Sequence, residues 1–128
     1  MRILIDTHIF IWADLSPEKI SASARRHLSD PQNTLTLSTA SLWEMQIKLA
    51  IGKLTLRLPL ADLVREQQQN NGFEILPITL EHVVSLENLP FHHKDPFDRL
   101  LIAQAQSENL PILTADSVFD LYPIRRLD

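Results

Sequence analysis

An α/β fold built on a mostly parallel sheet is what this sequence predicts, and three observations predict it. Ile3-Leu4-Ile5 is a short, branched, fully apolar run, the mark of a strand buried on both faces, as in the centre of a parallel sheet. Further short strand-like runs alternate with longer stretches of helical spacing, so the chain winds from strand–helix units. Its 128 residues, 45% apolar, suffice for one core and set a single domain over 1–128.

The first strand stops at Asp6, and Thr7 leads into a helix through Ile9, Phe10, Trp12 and Ala13. Ser16-Pro17-Glu18 places Pro at a first helical position, predicting a second helix from about Glu18 to Asp30 with Ile20, Ala24 and Leu28 on its apolar side. Asp30-Pro31-Gln32-Asn33 is a turn, and Leu35-Thr36-Leu37 the second strand. Ser or Thr then caps a largely apolar helix that ends at Gly52. On it, Ser41, Glu44 and Lys48 share one narrow polar stripe. Lys53 to Pro59 connects, with a possible β excursion where Leu54, Leu56 and Leu58 alternate. Leu60 to Asn71 is a polar helix closed by Gly72. Phe73 to Ile78 is a third strand, kept short or marginal by Pro77. Thr79 opens a helix to about Leu89, followed by the loop Pro90-Phe91-His92-His93-Lys94. Asp95-Pro96-Phe97-Asp98 starts the last long helix, with Asp95 as cap and Pro96 at its first position. Ile112-Leu113-Thr114 is the fourth strand, Ser117 to Leu121 a short turn, and Ile124 with its neighbours a last short strand.

Composition removes several chemistries. No cysteine is present, which excludes disulfides, Cys-based zinc sites and thiol catalysis. The only glycines are Gly52 and Gly72, so no Gly-rich phosphate loop can form. No apolar run is long enough to span a membrane, and Met1 is followed at once by strand-like sequence without a cleavable signal pattern. A cytoplasmic location without membrane attachment is therefore the expectation. The net charge of −4 gives no bulk-basic pointer to nucleic acid.

Four carboxylates carry the chemistry. Asp6 ends the first strand, Glu44 lies on the helix after the second, Asp98 opens the last long helix, and Asp116 follows the fourth strand. Strand C-termini and the helix N-termini after them share one edge of such a sheet, where ligands bind. Each acid also has a plainer role: Asp6 and Asp116 as helix caps, Glu44 as an i, i+4 partner of Lys48, Asp98 as a charge favoured by the helix dipole. Gathered at one edge, the four would resist joint ionisation, and a hard divalent cation would relieve that, Mg²⁺ above all with its preference for oxygen ligands. None of His8, His27, His82, His92 and His93 shows zinc-like spacing. His92-His93 reads as a solvent-exposed loop pair near Asp95, able to touch a substrate.

The ordered set of motifs resembles the PIN-domain ribonucleases, and within them the VapC-type toxins of bacterial toxin–antitoxin pairs. The matching pieces are Ile3-Leu4-Ile5-Asp6-Thr7-His8, Ser38-Thr39-Ala40-Ser41-Leu42-Trp43-Glu44, the segment from Asp95-Pro96-Phe97-Asp98-Arg99 to Ala105, and Leu113-Thr114-Ala115-Asp116. They extend over essentially the whole chain. The resemblance implies a three-layer α/β/α fold with a roughly five-stranded, mostly parallel sheet. It also implies a Mg²⁺- or Mn²⁺-dependent endoribonuclease with RNA as substrate, a cognate antitoxin as partner, and a homodimer. Asp6, Glu44, Asp98 and Asp116 match the family's acidic quartet as metal-binding and catalytic residues, and Thr7 and Ser38 match positions that often support it. The implied reaction is attack of a metal-activated water on phosphorus, leaving a 5′-phosphate and a 3′-hydroxyl.

RNA affinity usually rests on Lys and Arg. Arg25, Arg26, Lys48, Lys53, Arg57 and Arg99 are available either to line a track or to stand as solvated surface charges. Two other functions compete. A Mg²⁺-dependent phosphatase of the haloacid-dehalogenase type needs Asp-x-Asp after the first strand, where this chain has His8. A non-catalytic binding module would use the acidic edge to grip a basic peptide.

Overall fold

The computed structural model describes residues 1–128. Five strands form one parallel sheet in the order β3-β2-β1-β4-β5: β1 (Arg2–Ile5), β2 (Thr34–Ser38), β3 (Glu74–Leu76), β4 (Ile112–Leu113) and β5 (Arg126–Leu127). Six α-helices join them: α1 (Thr7–Leu15), α2 (Ala22–Ser29), α3 (Thr39–Ala50), α4 (Leu60–Asn71), α5 (Leu80–Ser85) and α6 (Pro96–Glu108). β1 is central and its three apolar residues are fully buried, the state expected of a strand covered on both faces. Pro77 confines β3 to three residues at the edge of the sheet, where a missing N–H is tolerated.

The sheet separates two cores. Ile3, Ile5, Leu35, Leu37 and Leu113 point to one side, against Ile9 and Phe10 of α1, Ala24 of α2, Met45 of α3 and Leu63 of α4. Leu4 and Ile112 point to the other, against Leu100, Leu101, Ile102 and Ala105 of α6. That alternation along β1 is the strand period of two, and it makes the molecule a three-layer α/β/α sandwich.

Local chemistry sets the helix ends. Gly72 closes α4 at φ 64°, the left-handed conformation that glycine adopts without strain. Asn109 does the same for α6 at φ 53°. The second helix starts later than its sequence suggests. Pro17–Lys19 is a 3₁₀ turn, and α2 begins only at Ala22, because the Ser21 hydroxyl accepts from Ala24 N–H and so caps it there. The helix after Thr79 is likewise shorter: α5 ends at Ser85 and continues as a 3₁₀ turn over Leu86–Asn88. No strand forms between Lys53 and Pro59. Leu54, Leu56 and Leu58 instead tuck part-way into the first core.

The enclosure of α3 departs from its hydrophobicity. Trp43 and Ile51 are about 60% exposed, whereas the buried residues are Ala40, Ser41, Glu44 and Met45. The polar stripe of this helix is turned inward.

Candidate active site

The pairing of β1 with β4 builds the first part of the site. Ile5 is in register with Leu113, so Asp6 and Thr114 leave the sheet side by side. Asp6 N–H donates to the Leu113 carbonyl, and the Thr114 hydroxyl donates to Asp6 Oδ2 at 2.7 Å. Asp6 stands at the cap position of α1, yet its side chain makes no capping bond. Its Oδ1 is buried and accepts no hydrogen bond, the nearest basic group being His8 Nδ1 at 4.0 Å. Burial raises the Asp6 pKa above the ordinary 3.8, with a further push from the Glu44 charge, against the opposing pull of the Thr114 bond and of His8.

Glu44 arrives from α3. The Thr7 hydroxyl donates to Ser41 Oγ at 2.8 Å and so ties the start of α1 to the helix turn below Glu44. Lys48 Nζ donates to Glu44 Oε2 at 2.9 Å, the i, i+4 pair expected of a solvent-facing helix. Glu44 is nonetheless only 4% exposed, and its Oε1 is buried without a partner. Ser38, the other supporting position, caps α3 by accepting from Ala40 N–H.

Asp98 comes from the first turn of α6. Asp95 takes the capping work, its Oδ1 accepting from Phe97 and Asp98 N–H groups, which leaves the Asp98 carboxylate to the cleft. Burial first, then the charges of Asp6, Asp95, Glu44 and Asp116, push the Asp98 pKa up to about 8. Four carboxylates, Asp95 and the other three of the quartet, therefore act on this one group. Asp116 both caps and faces inward: Oδ1 accepts from Val118 N–H, while Oδ2 lies 2.8 Å from His93.

His93 corrects the reading of His92-His93 as an exposed pair. His92 is exposed, but the His93 ring is 14% exposed and lies between Asp116 Oδ2 at 2.8 Å and Asp98 Oδ2 at 3.2 Å. Its backbone N–H donates to the Tyr122 hydroxyl, which donates to the Pro90 carbonyl. The ring also sits edge-on against Phe119. The sequence holds no spacing signal for this, since the loop is fixed by Tyr122, 29 residues on. Thr114 escaped sequence reading for a similar reason: its role depends on strand register.

The basic residues sort themselves. Arg99 is buried and binds the Leu89, Pro90 and His93 carbonyls under Phe91. Arg57 is paired with Asp14 and Glu66. Neither is free to line a track. Lys48 and Lys53 do border a groove of about 340 Å³ with His8, Glu44, Asp95 and Phe97. A cavity of about 520 Å³ lies at the other end of β4, beside Asn109, Leu110 and Arg125, and contains no carboxylate.

A divalent cation fits this donor set. The acids offer hard oxygens, and two of those oxygens, Asp6 Oδ1 and Glu44 Oε1, are buried with nothing in the protein to satisfy them. Unsatisfied buried acceptors cost about 1–3 kcal/mol each, a penalty that a cation removes.

Solved structures share the fold. VapBC2 from Rickettsia felis, bound to a DNA fragment from its promoter, is 19% identical with a TM-score of 0.72 over the full length of both chains. DNA-bound VapBC from Salmonella typhimurium is 16% identical, TM-score 0.68, over 98% of this chain and 96% of that one. VapBC-5 from Mycobacterium tuberculosis, of the VapBC family of toxin–antitoxin systems, is 17% identical, TM-score 0.57, over 94% and 89%. Among curated proteins no sequence matches. The PIN domain model matches residues 3–124, and the chain belongs to the PIN-domain family.

Proposed function

We propose that this protein is a metal-dependent endoribonuclease of the VapC type, the toxin of a toxin–antitoxin pair, acting on RNA in the cytoplasm. One observation carries the reading: the unpartnered, buried oxygens of Asp6 and Glu44 beside an Asp98 whose pKa is pushed to about 8. A fold does not keep such a hollow for stability. Asp6, Glu44, Asp98 and Asp116 would hold Mg²⁺ or Mn²⁺. When bound, the cation supplies acidity to an attacking water and positive charge against the charge developing at phosphorus.

The protein's own groups define the rest. A metal-activated water makes a protein nucleophile unnecessary, and the Thr7 and Thr114 hydroxyls act as struts, donating to Ser41 and to Asp6. Attack by water in line leaves a 5′-phosphate and a 3′-hydroxyl. Thr114 orients Asp6, Thr7 and Ser41 hold α1 against α3, and Lys48 and Lys53 offer charge to the RNA backbone at the groove. A cognate antitoxin and a homodimer complete the proposal, in keeping with the VapBC complexes of the same fold. No helix is long and apolar enough to cross a membrane.

The test is RNA cleavage by purified protein in Mg²⁺ or Mn²⁺, with and without EDTA, mapped for 5′-phosphate ends. Asp6→Asn must abolish cleavage. Full activity of the wild type with chelator present refutes the metal mechanism.

A further inference from the structure

The nitrogen of His93 and the carboxylate oxygens of Asp98 and Asp116 lie within 4.8 Å of one another, close enough to share one ion as three ligands. The other ring nitrogen argues for a different role. His93 Nδ1 accepts a hydrogen bond from Asp95 N–H at 3.2 Å, so its lone pair is already engaged and the ring proton sits on Nε2. An Nε2 that ligates a metal must carry its proton on Nδ1 instead. That proton would then oppose Asp95 N–H, donor against donor. Asp95 cannot turn away, because its side chain caps α6 through Phe97 and Asp98 N–H groups. Nor is the loop free to move the ring, held as it is by Tyr122 and Arg99.

We propose that His93 is a positioning residue, whose Nε2–H bridges Asp98 Oδ2 and Asp116 Oδ2 and remains a donor when the site holds its cation. The inference rests on the metal-site reading above. Two carboxylates this close to one nitrogen repel each other, and Asp116, on a short turn and 38% exposed, would otherwise swing outward. The bridge engages one oxygen of each acid and leaves Asp98's other oxygen for the ion. The histidine thus joins two acids that lie 18 residues apart in the chain.

Two measurements test this on the full chain. Proton–nitrogen NMR of the ¹⁵N-labelled wild type reads the tautomer directly, without metal and after Mg²⁺ addition. The Nε2–H tautomer is expected in both states. A change to Nδ1–H on Mg²⁺ loading overturns the proposal and makes His93 a ligand. Calorimetric titration with Mn²⁺ gives the second readout. His93→Ala is expected to weaken binding about 10-fold or more, the usual effect of losing a group that orients a ligand. His93→Gln, whose amide N–H reaches the same place, is expected to stay within about 3-fold of wild type. Unchanged affinity in His93→Ala, or equal loss in both variants, overturns the positioning role alone. Wild-type protein that binds no Mn²⁺ at all overturns it together with the nuclease reading.

Discussion

Replacing Asp98 by Asn removes the charge that every other acid of the site opposes. The Asp98 pKa rises from 3.8 to about 8 on folding, so the folded protein binds this proton more tightly than the unfolded chain. Stability from this group is complete below about pH 4 and is lost as pH rises to about 8. Between pH 5 and pH 8 the loss amounts to nearly three pH units of linkage, about 4 kcal/mol at 1.36 kcal/mol per unit. Solvent on the open side of the cleft screens the charge, and halving for that gives about 2 kcal/mol. For a chain of this size that is roughly 6–10 °C in melting temperature. The assay is thermal unfolding followed by circular dichroism in EDTA at pH 5, 6, 7 and 8. Wild type is expected to lose about that much across the range, and Asp98→Asn to show a much flatter profile and the higher melting temperature at pH 8. A residual slope of the same sign is expected from Asp6, whose pKa is also raised. Parallel profiles for the two proteins, or a variant less stable at pH 8, would show that Asp98 is not held in an uncompensated acidic hollow.

Three other substitutions separate the roles of neighbouring groups. Glu44→Gln is expected to abolish RNA cleavage and to leave the melting temperature unchanged or raised, because the charge that pushes on Asp6 and Asp98 is gone; wild-type activity would reduce Glu44 to its Lys48 pair. Thr114→Val removes the only protein donor to Asp6 Oδ2, with an expected loss of about 1–2 kcal/mol and weaker Mn²⁺ affinity, read by chemical denaturation and calorimetry; unchanged affinity would disconnect Thr114 from the site. Arg99→Lys loses a forked donor to three carbonyls and its stack on Phe91, and a loss of about 2–3 kcal/mol is expected in urea melts. Lost cleavage at unchanged stability would move Arg99 from scaffold to chemistry.

How much of this was legible depended on whether the signal was local. The apolar run Ile3-Leu4-Ile5, the Asp95-Pro96 helix start and the Gly72 stop each act within a few residues, and each stands where its chemistry places it. The edge position of β3 followed from Pro77 in the same way. The onset of α2 did not, because the signal at Ser16-Pro17 produces only a 3₁₀ turn and the Ser21 hydroxyl bond fixes where the α-helix begins. Non-local pairings stayed hidden. Thr114 reaches Asp6 across 108 residues, and His93 is fixed through Tyr122. The inward turn of α3 was hidden for another reason: its apolar residues wrap the helix, so hydrophobic spacing alone named no buried side.

That inward turn explains how acids so widely separated in sequence come close enough for their charges to act on Asp98. With β1 between β2 and β4, the strand connections diverge to opposite sides of the β1–β4 pair, the place where open α/β sheets form a crevice at their C-terminal edge. Asp6 and Asp116 follow the two strands of that pair, and α6 sets Asp98 beside them. Glu44 alone comes from outside it, after β2, on a helix whose apolar residues occupy more than one face and so leave its rotation to other contacts. Ser38 at the cap, Ala40 in the second core and the Thr7–Ser41 bond set that rotation. The rotation leaves three large apolar side chains exposed, Trp43, Ile47 and Ile51, and two carboxylate oxygens unsatisfied. Both consequences destabilise the isolated chain, and a cation at the crevice relieves the second of them. A folded state that binds the ion more tightly than the unfolded chain gains about 2.7 kcal/mol when the free ion is at a hundred times its dissociation constant, comparable to what the acidic hollow costs. On this account the melting temperature depends on free Mg²⁺ or Mn²⁺ most steeply at the pH where the acids repel most.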